Sequence, residues 1–145
     1  MNTPSAFALA GLLGWTLLLL VLMEMLRVSW VMEMLRVSWV LRGGVAANEF
    51  RPDNANLSPF MQRLARAHAN CIEGLPLFGG LLLLAIATQH TAVTDTLAPW
   101  MLAARVVQSS VHLASISVPA VNLRFAAFCV QLVIATRWTW GLLAS

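Results

Sequence analysis

The chain has 145 residues, of which 59% are apolar and 10% charged, whereas a soluble domain of this size carries about 25% charged residues. The apolar residues fall in long blocks, as membrane spans do, which excludes an ordinary soluble domain. Nine arginines and no lysine stand against six acids. Several of these arginines lie inside or beside apolar runs rather than on a polar surface, which argues against a nucleic-acid partner.

The first helix is expected after Pro4, with Ser5 near its cap and an apolar run from Ala6 to Met23. No positive n-region and no clear small-residue cleavage site precede or end that run, so it reads as a retained span rather than a signal peptide. The helical pattern continues through "MEMLRVSWVMEMLRVSWV", Met23 to Val40, which is one nine-residue stretch written twice. Gly43-Gly44 then stops it. Nine residues advance a helix by about 13.5 Å and 900°, two and a half turns. Glu24 and Arg27 therefore face one way, and Glu33 and Arg36 the other. Acid and base lie three apart within each copy and can pair locally. Only one copy can join a polar interior while the helix stays straight. From Ala6 to Arg42 the helix is roughly 55 Å long, against a hydrocarbon core of roughly 30 Å. Either the second copy overhangs the membrane or the helix slides outward, and the sequence leaves both open.

A polar connection, "VAANEFRPDNANL", follows, with Pro52 and several Asn and Asp residues opposing regular structure. Ser58-Pro59 opens the second helix as an N-cap followed by proline. It runs to about Thr88, with a bend expected at Gly74 to Pro76. The third is expected from Ala98 to Ser117, a break at Pro119, and the fourth from Asn122 to Leu143. The spans are thus about 6–41, 59–88, 98–117 and 122–143. Together they form one all-α membrane domain over residues 1–145, an up-down bundle of four transmembrane helices. Arg42, Arg51, Arg63, Arg66 and Arg124 gather at one end, whereas "QHTAVTDTL" between the second and third spans has no arginine. The positive-inside rule then places the long first loop in the cytoplasm and both termini outside. Arg137 is the exception near the other face. Trp100, Trp138 and Trp140 are expected to form the outer aromatic belt.

At 100° per residue, Arg63, Arg66, Asn70 and Glu73 fall within an arc of roughly 80° on the second helix. Arg105, Gln108, Ser109, His112 and Ser115 share roughly 120° on the third, and Arg124 and Gln131 share one side of the fourth. A charge at bilayer centre costs about 2.5–3.5 kcal/mol on insertion scales, so such stripes face a cavity or one another. Structural glue between helices explains one stripe. Three stripes, with more arginines than acids to pair them, point instead to an anionic ligand, and arginine's fork suits carboxylates. His68 points away from the stripe and reads as a packing residue. Cys71 and Cys129 read as small core residues. His68, His112, Cys71 and Cys129 lack metal-ligand spacing, so no metal site is expected.

"RLARAHANCIEGLPLF", Arg63 to Phe78, resembles the second-helix signature of the MAPEG family, the membrane-associated proteins in eicosanoid and glutathione metabolism. "AANEF" in the loop, "ARVVQSSVHL" in the third span and "LRFAAFCVQL" in the fourth extend the resemblance from about Ala46 to Leu132, with the look of a small bacterial member. The resemblance implies a homotrimer of four-helix subunits, and a bacterial member with the orientation set by its arginines is expected in the inner membrane with periplasmic termini. It implies glutathione as co-substrate, bound between subunits toward the cytoplasmic side. The implied reaction adds the glutathione thiolate to a lipophilic electrophile or reduces a hydroperoxide. Matched residue by residue, Arg66, Asn70 and Glu73 correspond to glutathione contacts. Arg105 corresponds to a basic position on the third helix, and His112 stands where several animal members have a contacting tyrosine. Arg124 lies near the family's arginine implicated in holding the thiolate, across a connection longer than in the animal enzymes. Two departures bear on the site. Animal prostaglandin E synthases have a second arginine where this chain has Ala69, and this chain has no tyrosine.

Two other readings compete. A member of the same family that has lost catalysis would keep the fold as a lipid-binding or structural trimer. A small proton-coupled multidrug transporter would use a first-span glutamate, Glu24. The neighbouring Arg27 holds that carboxylate ionised, and a transporter leaves the arginines of the other spans unexplained.

Overall fold

The computed structural model describes residues 3–41 and 58–145. In chain order it has α1 (Pro4–Leu41), α2 (Pro59–Ala87), a 3-10 turn (Thr91–Val93), α3 (Ala98–Ala114) and α4 (Val118–Leu143). α1 packs along α2 and α3, α3 along α4, and α2 also touches α4. The described residues contain no strand.

Three helical segments are long and apolar enough to cross a membrane: Pro4–Ser29, Pro59–Ala87 and Val118–Leu143. The remaining expected span, α3, is shorter than these three. α3 ends at Ala114 with 17 residues, about 26 Å at helical rise, and it carries the buried Arg105. Its early end is a serine turn, in which the Ser117 backbone N–H donates to Ser115 Oγ at 3.1 Å. Such a local bond competes with helix continuation.

The helix starts follow local chemistry. Ser58 Oγ accepts the Met61 N–H at 3.4 Å, and Pro59 sits where its missing N–H costs nothing. α2 runs unbroken through Pro76. Pro119 does not break the chain before α4, as the sequence reading had it. It occupies the first turn of α4, which begins at Val118 rather than Asn122. Proline is pre-organised for that position. Ser5 lies near the start of α1 as expected, one residue inside it. Its N–H and hydroxyl both donate to Asp95 Oδ1, at 3.0 and 2.6 Å. A carboxylate at a helix N-terminus satisfies orphan N–H groups and complements the dipole. This clamp pins the start of α1 to the α2–α3 connection.

One core cluster joins Leu12 of α1, Phe78 and Leu82 of α2, Met101 of α3 and Trp138 of α4. Small residues (Ala8, Ala98, Ala135) line the same cluster and let the backbones approach closely, as van der Waals packing between membrane helices requires. A second cluster, Leu19, Met23, Leu64 and Cys71, joins α1 to α2. Trp100 and Trp140 are exposed, as a belt requires, but Trp138 is fully buried. It shares one face of α4 with Gln131, Ile134 and Ala135, spaced three, four and seven residues apart, and that face turns inward.

In the first copy of the repeat, Arg27 Nη1 donates to Glu24 Oε1 at 2.6 Å, the local pairing expected from their spacing. α1 continues as helix through the second copy. The side chains of Glu33 and Arg36, and the loop with Gly43-Gly44, Arg42 and Arg51, lie outside the described residues. Among the described residues, the α1 members of both core clusters lie at or before Leu26, and apolar helix length can be absorbed by overhang or tilt. Deleting Met32–Val40 is therefore expected to leave the melting temperature of the detergent-purified protein unchanged or higher. A melt of the deletion variant checks this; failure to insert would show that the second copy is required.

Candidate functional site

Helical spacing builds the site. Asn70, Glu73, Gly74, Leu77 and Phe78 recur at three- and four-residue intervals and so share one face of α2. With Arg105 and Gln108 of α3 and Phe128 of α4 they line an open cavity of about 350 Å³. Its floor is Arg105, which is only 4% exposed. Nη1 donates to the Asn70 carbonyl oxygen at 3.2 Å, and the guanidinium lies over the Phe78 ring, 5.1 Å from its centroid. Nη2 is buried and has no hydrogen-bond partner. A buried cation without a counter-charge is costly, so the cavity floor is complementary to an anion.

Two features keep this floor open. Gly74 faces the guanidinium so closely that any Cβ there would collide with Arg105 Nη2. On the other side, Gln131 Nε2 donates to Gln108 Oε1 and to the Ala127 carbonyl oxygen, both at 3.0 Å. The Ala127 carbonyl fixes which end of the Gln131 amide is the donor. That in turn commits the oxygen of Gln108, a residue of the cavity lining, as the acceptor. Glu73, exposed at the rim, supplies a negative group a cation could reach.

A basic cluster continues from one edge. Asn70 Nδ2 lies 3.5 Å from His112 Nδ1, and His112 sits within electrostatic reach of Arg124, Arg66 and Arg63. Arg63 is committed elsewhere: its Nε donates to the Leu113 carbonyl oxygen at 2.9 Å, satisfying the C-terminal end of α3. Among the described residues no carboxylate pairs with Arg63, Arg66, Arg105 or Arg124.

Of the expected site residues, Asn70, Glu73 and Arg105 line the cavity. Arg66, His112 and Arg124 do not; they gather at the end reached through Asn70. Gln108 belonged to the polar stripe but not to the expected contacts. The apolar walls Leu77, Phe78 and Phe128 were not anticipated. Their signal was present in the spacing, since Leu77 follows Glu73 by four residues and Phe128 precedes Gln131 by three. His68 is half-buried against α1, in the field of Arg27 and Glu24, away from the cavity as its helical angle requires. Cys71 is buried, 3.3 Å from Ser109 Oγ, and acts as a small core residue.

The model of the MAPEG family matches residues 5–144. No curated protein and no solved structure matches the chain.

Proposed function

The chain belongs to the MAPEG family, and from that premise we propose that it is a membrane-bound glutathione-dependent transferase or peroxidase acting on lipophilic electrophiles or hydroperoxides. The observation that carries this reading is the buried, unpartnered Nη2 of Arg105 at the floor of an open cavity whose rim holds Glu73. Glutathione near neutral pH presents carboxylates and one ammonium. Arg105 and Arg66 take carboxylates, Glu73 takes the ammonium, and Asn70 and His112 fix the peptide between them. The half-buried Arg124 holds the sulfur as thiolate.

In conjugation the thiolate forms a carbon–sulfur bond as the electrophile's leaving group departs with its electron pair, and the thiol proton passes to solvent. In peroxide reduction the sulfur attacks one oxygen, the O–O bond breaks, and the alcohol leaves. A second glutathione then closes the disulfide and releases water. The oily walls Leu77, Phe78 and Phe128 suit a second reactant that arrives from the bilayer. The assembly belonging to this reading is a four-span bundle forming homotrimers, in a bacterial inner membrane with periplasmic termini. An enzyme accounts for the cavity better than a transporter, because Glu24 is bound to Arg27 at 2.6 Å and does not line the cavity.

Conjugation of an aryl halide by the purified full chain tests the proposal. A guanidinium beside a thiol lowers its pKa below the free value of about 8.5. The rate is therefore expected to rise through a midpoint below that value, and in Arg124→Ala the midpoint moves up toward it. A glutathione-independent rate contradicts the proposal, and a midpoint unmoved by Arg124→Ala removes that arginine's role.

A further inference from the structure

At the opposite end of α4 from Arg124, a second cation has no counter-charge. Arg137 is exposed, and among the described residues no carboxylate pairs with it. It lines two adjoining hollows together with Trp140. The first is a recess of about 580 Å³ between α4 and the 3-10 turn region, with Thr96, Leu97 and Gly141 on its walls. The second is an apolar groove of about 490 Å³ along Leu132, Val133 and Thr136. The recess owes its shape to Gly141, where an added Cβ would come within 2.6 Å of Val93 Cγ1. The 3-10 turn therefore sits directly on the α4 backbone.

We propose that this pair of hollows binds one anionic glycerophospholipid, with its headgroup phosphate on Arg137 in the recess and an acyl chain along the groove. Three observations fix the class of ligand. Arg137 lies six residues before the end of α4 at Leu143, about 9 Å along the axis, from where a long guanidinium side chain snorkels to the headgroups. Trp140 is 77% exposed, so its ring stands between the two hollows as an amphipathic post. No carboxylate lines the recess, so the ammonium of a zwitterionic headgroup finds no partner there, whereas a second negative charge strengthens the contact with Arg137. The site is separate from the glutathione cavity and does not depend on it.

Native mass spectrometry of the delipidated full chain, titrated with phosphatidylglycerol or phosphatidylcholine of matched chains, tests the proposal. One retained phosphatidylglycerol per subunit is expected, favoured about fivefold over phosphatidylcholine, the worth of one arginine near an anionic surface. Arg137→Gln should abolish that preference. Thr136→Trp should fill the groove and reduce retention of both lipids while Arg137 remains. Inorganic phosphate at equal concentration should not displace the lipid. Equal retention of the two lipids, a preference that survives Arg137→Gln, or displacement by phosphate alone would overturn the assignment.

Discussion

Replacing Arg105 by alanine is expected to lower kcat/KM for glutathione roughly 10- to 150-fold, the effect of losing a charge-assisted contact of about 1.5–3 kcal/mol. The melting temperature should stay level or rise, because the substitution removes a buried guanidinium whose Nη2 has no partner, and with it the desolvation cost of an uncompensated buried charge. This combination separates a ligand-binding role from a structural one. A guanidinium that merely knitted α3 to α2 through the Asn70 carbonyl would, when removed, lower stability and leave the affinity of surviving protein intact. Arg105→Lys keeps the charge but not the planar fork, so it should recover only part of the loss. Steady-state kinetics beside a thermal melt of each variant check the pair of outcomes.

The largest loss of stability is expected at Trp138. Its side chain is fully buried, among Phe78, Leu82 and Met101 from two other helices. Truncation to alanine leaves a cavity where dispersion contacts were. Large-to-small changes of this kind cost about 3–5 kcal/mol. Inside a bilayer that packing carries more of helix association, since lipid tails are as apolar as the side chains. Trp138→Ala should therefore lower the melting temperature more than Trp100→Ala or Trp140→Ala, whose rings are 67% and 77% exposed. A melt of the three variants in one detergent decides it. Equal effects would place Trp138 on the surface with the other two.

That tryptophan also marks where the sequence stops being legible. Its neighbours along the chain, Arg137 and Trp140, read as an interfacial cluster, and only the packing of α4 against the other helices turns Trp138 inward. The α2 boundaries were readable because Ser58 and Pro59 act locally. Ser115 to Pro119 was misjudged because two local signals compete there. The serine turn ends α3 early, and proline serves as a first-turn residue of α4 rather than as a spacer. Of the site, α2 was the most legible part, since spacing alone puts Asn70 and Glu73 on one face. The depth of Arg105 was not legible. It depends on Gly74 across the helix pair, whose missing side chain leaves the guanidinium room, and no property of α3 alone reveals that. Arg63 and Arg66 are equivalent in the sequence, yet one caps α3 and the other has no carboxylate partner among the described residues, because only Arg63 reaches the Leu113 carbonyl.

The repeat in α1 shows the same divide. Spacing alone pairs Glu24 with Arg27, and the structure forms that ion pair. Both lie on the α2 side carrying His68 rather than at the cavity. In the described residues, then, the first copy lends the cavity no lining residue.

Calorimetric titration of the detergent-solubilised full chain with glutathione, set beside glutathione diethyl ester, asks most directly whether its arginines read carboxylates. The ester keeps the thiol, the peptide and the ammonium but loses both negative groups. Saturable binding of glutathione, with the ester at least tenfold weaker, is the expected result. Equal affinity for the two, or no heat with either, would contradict the account.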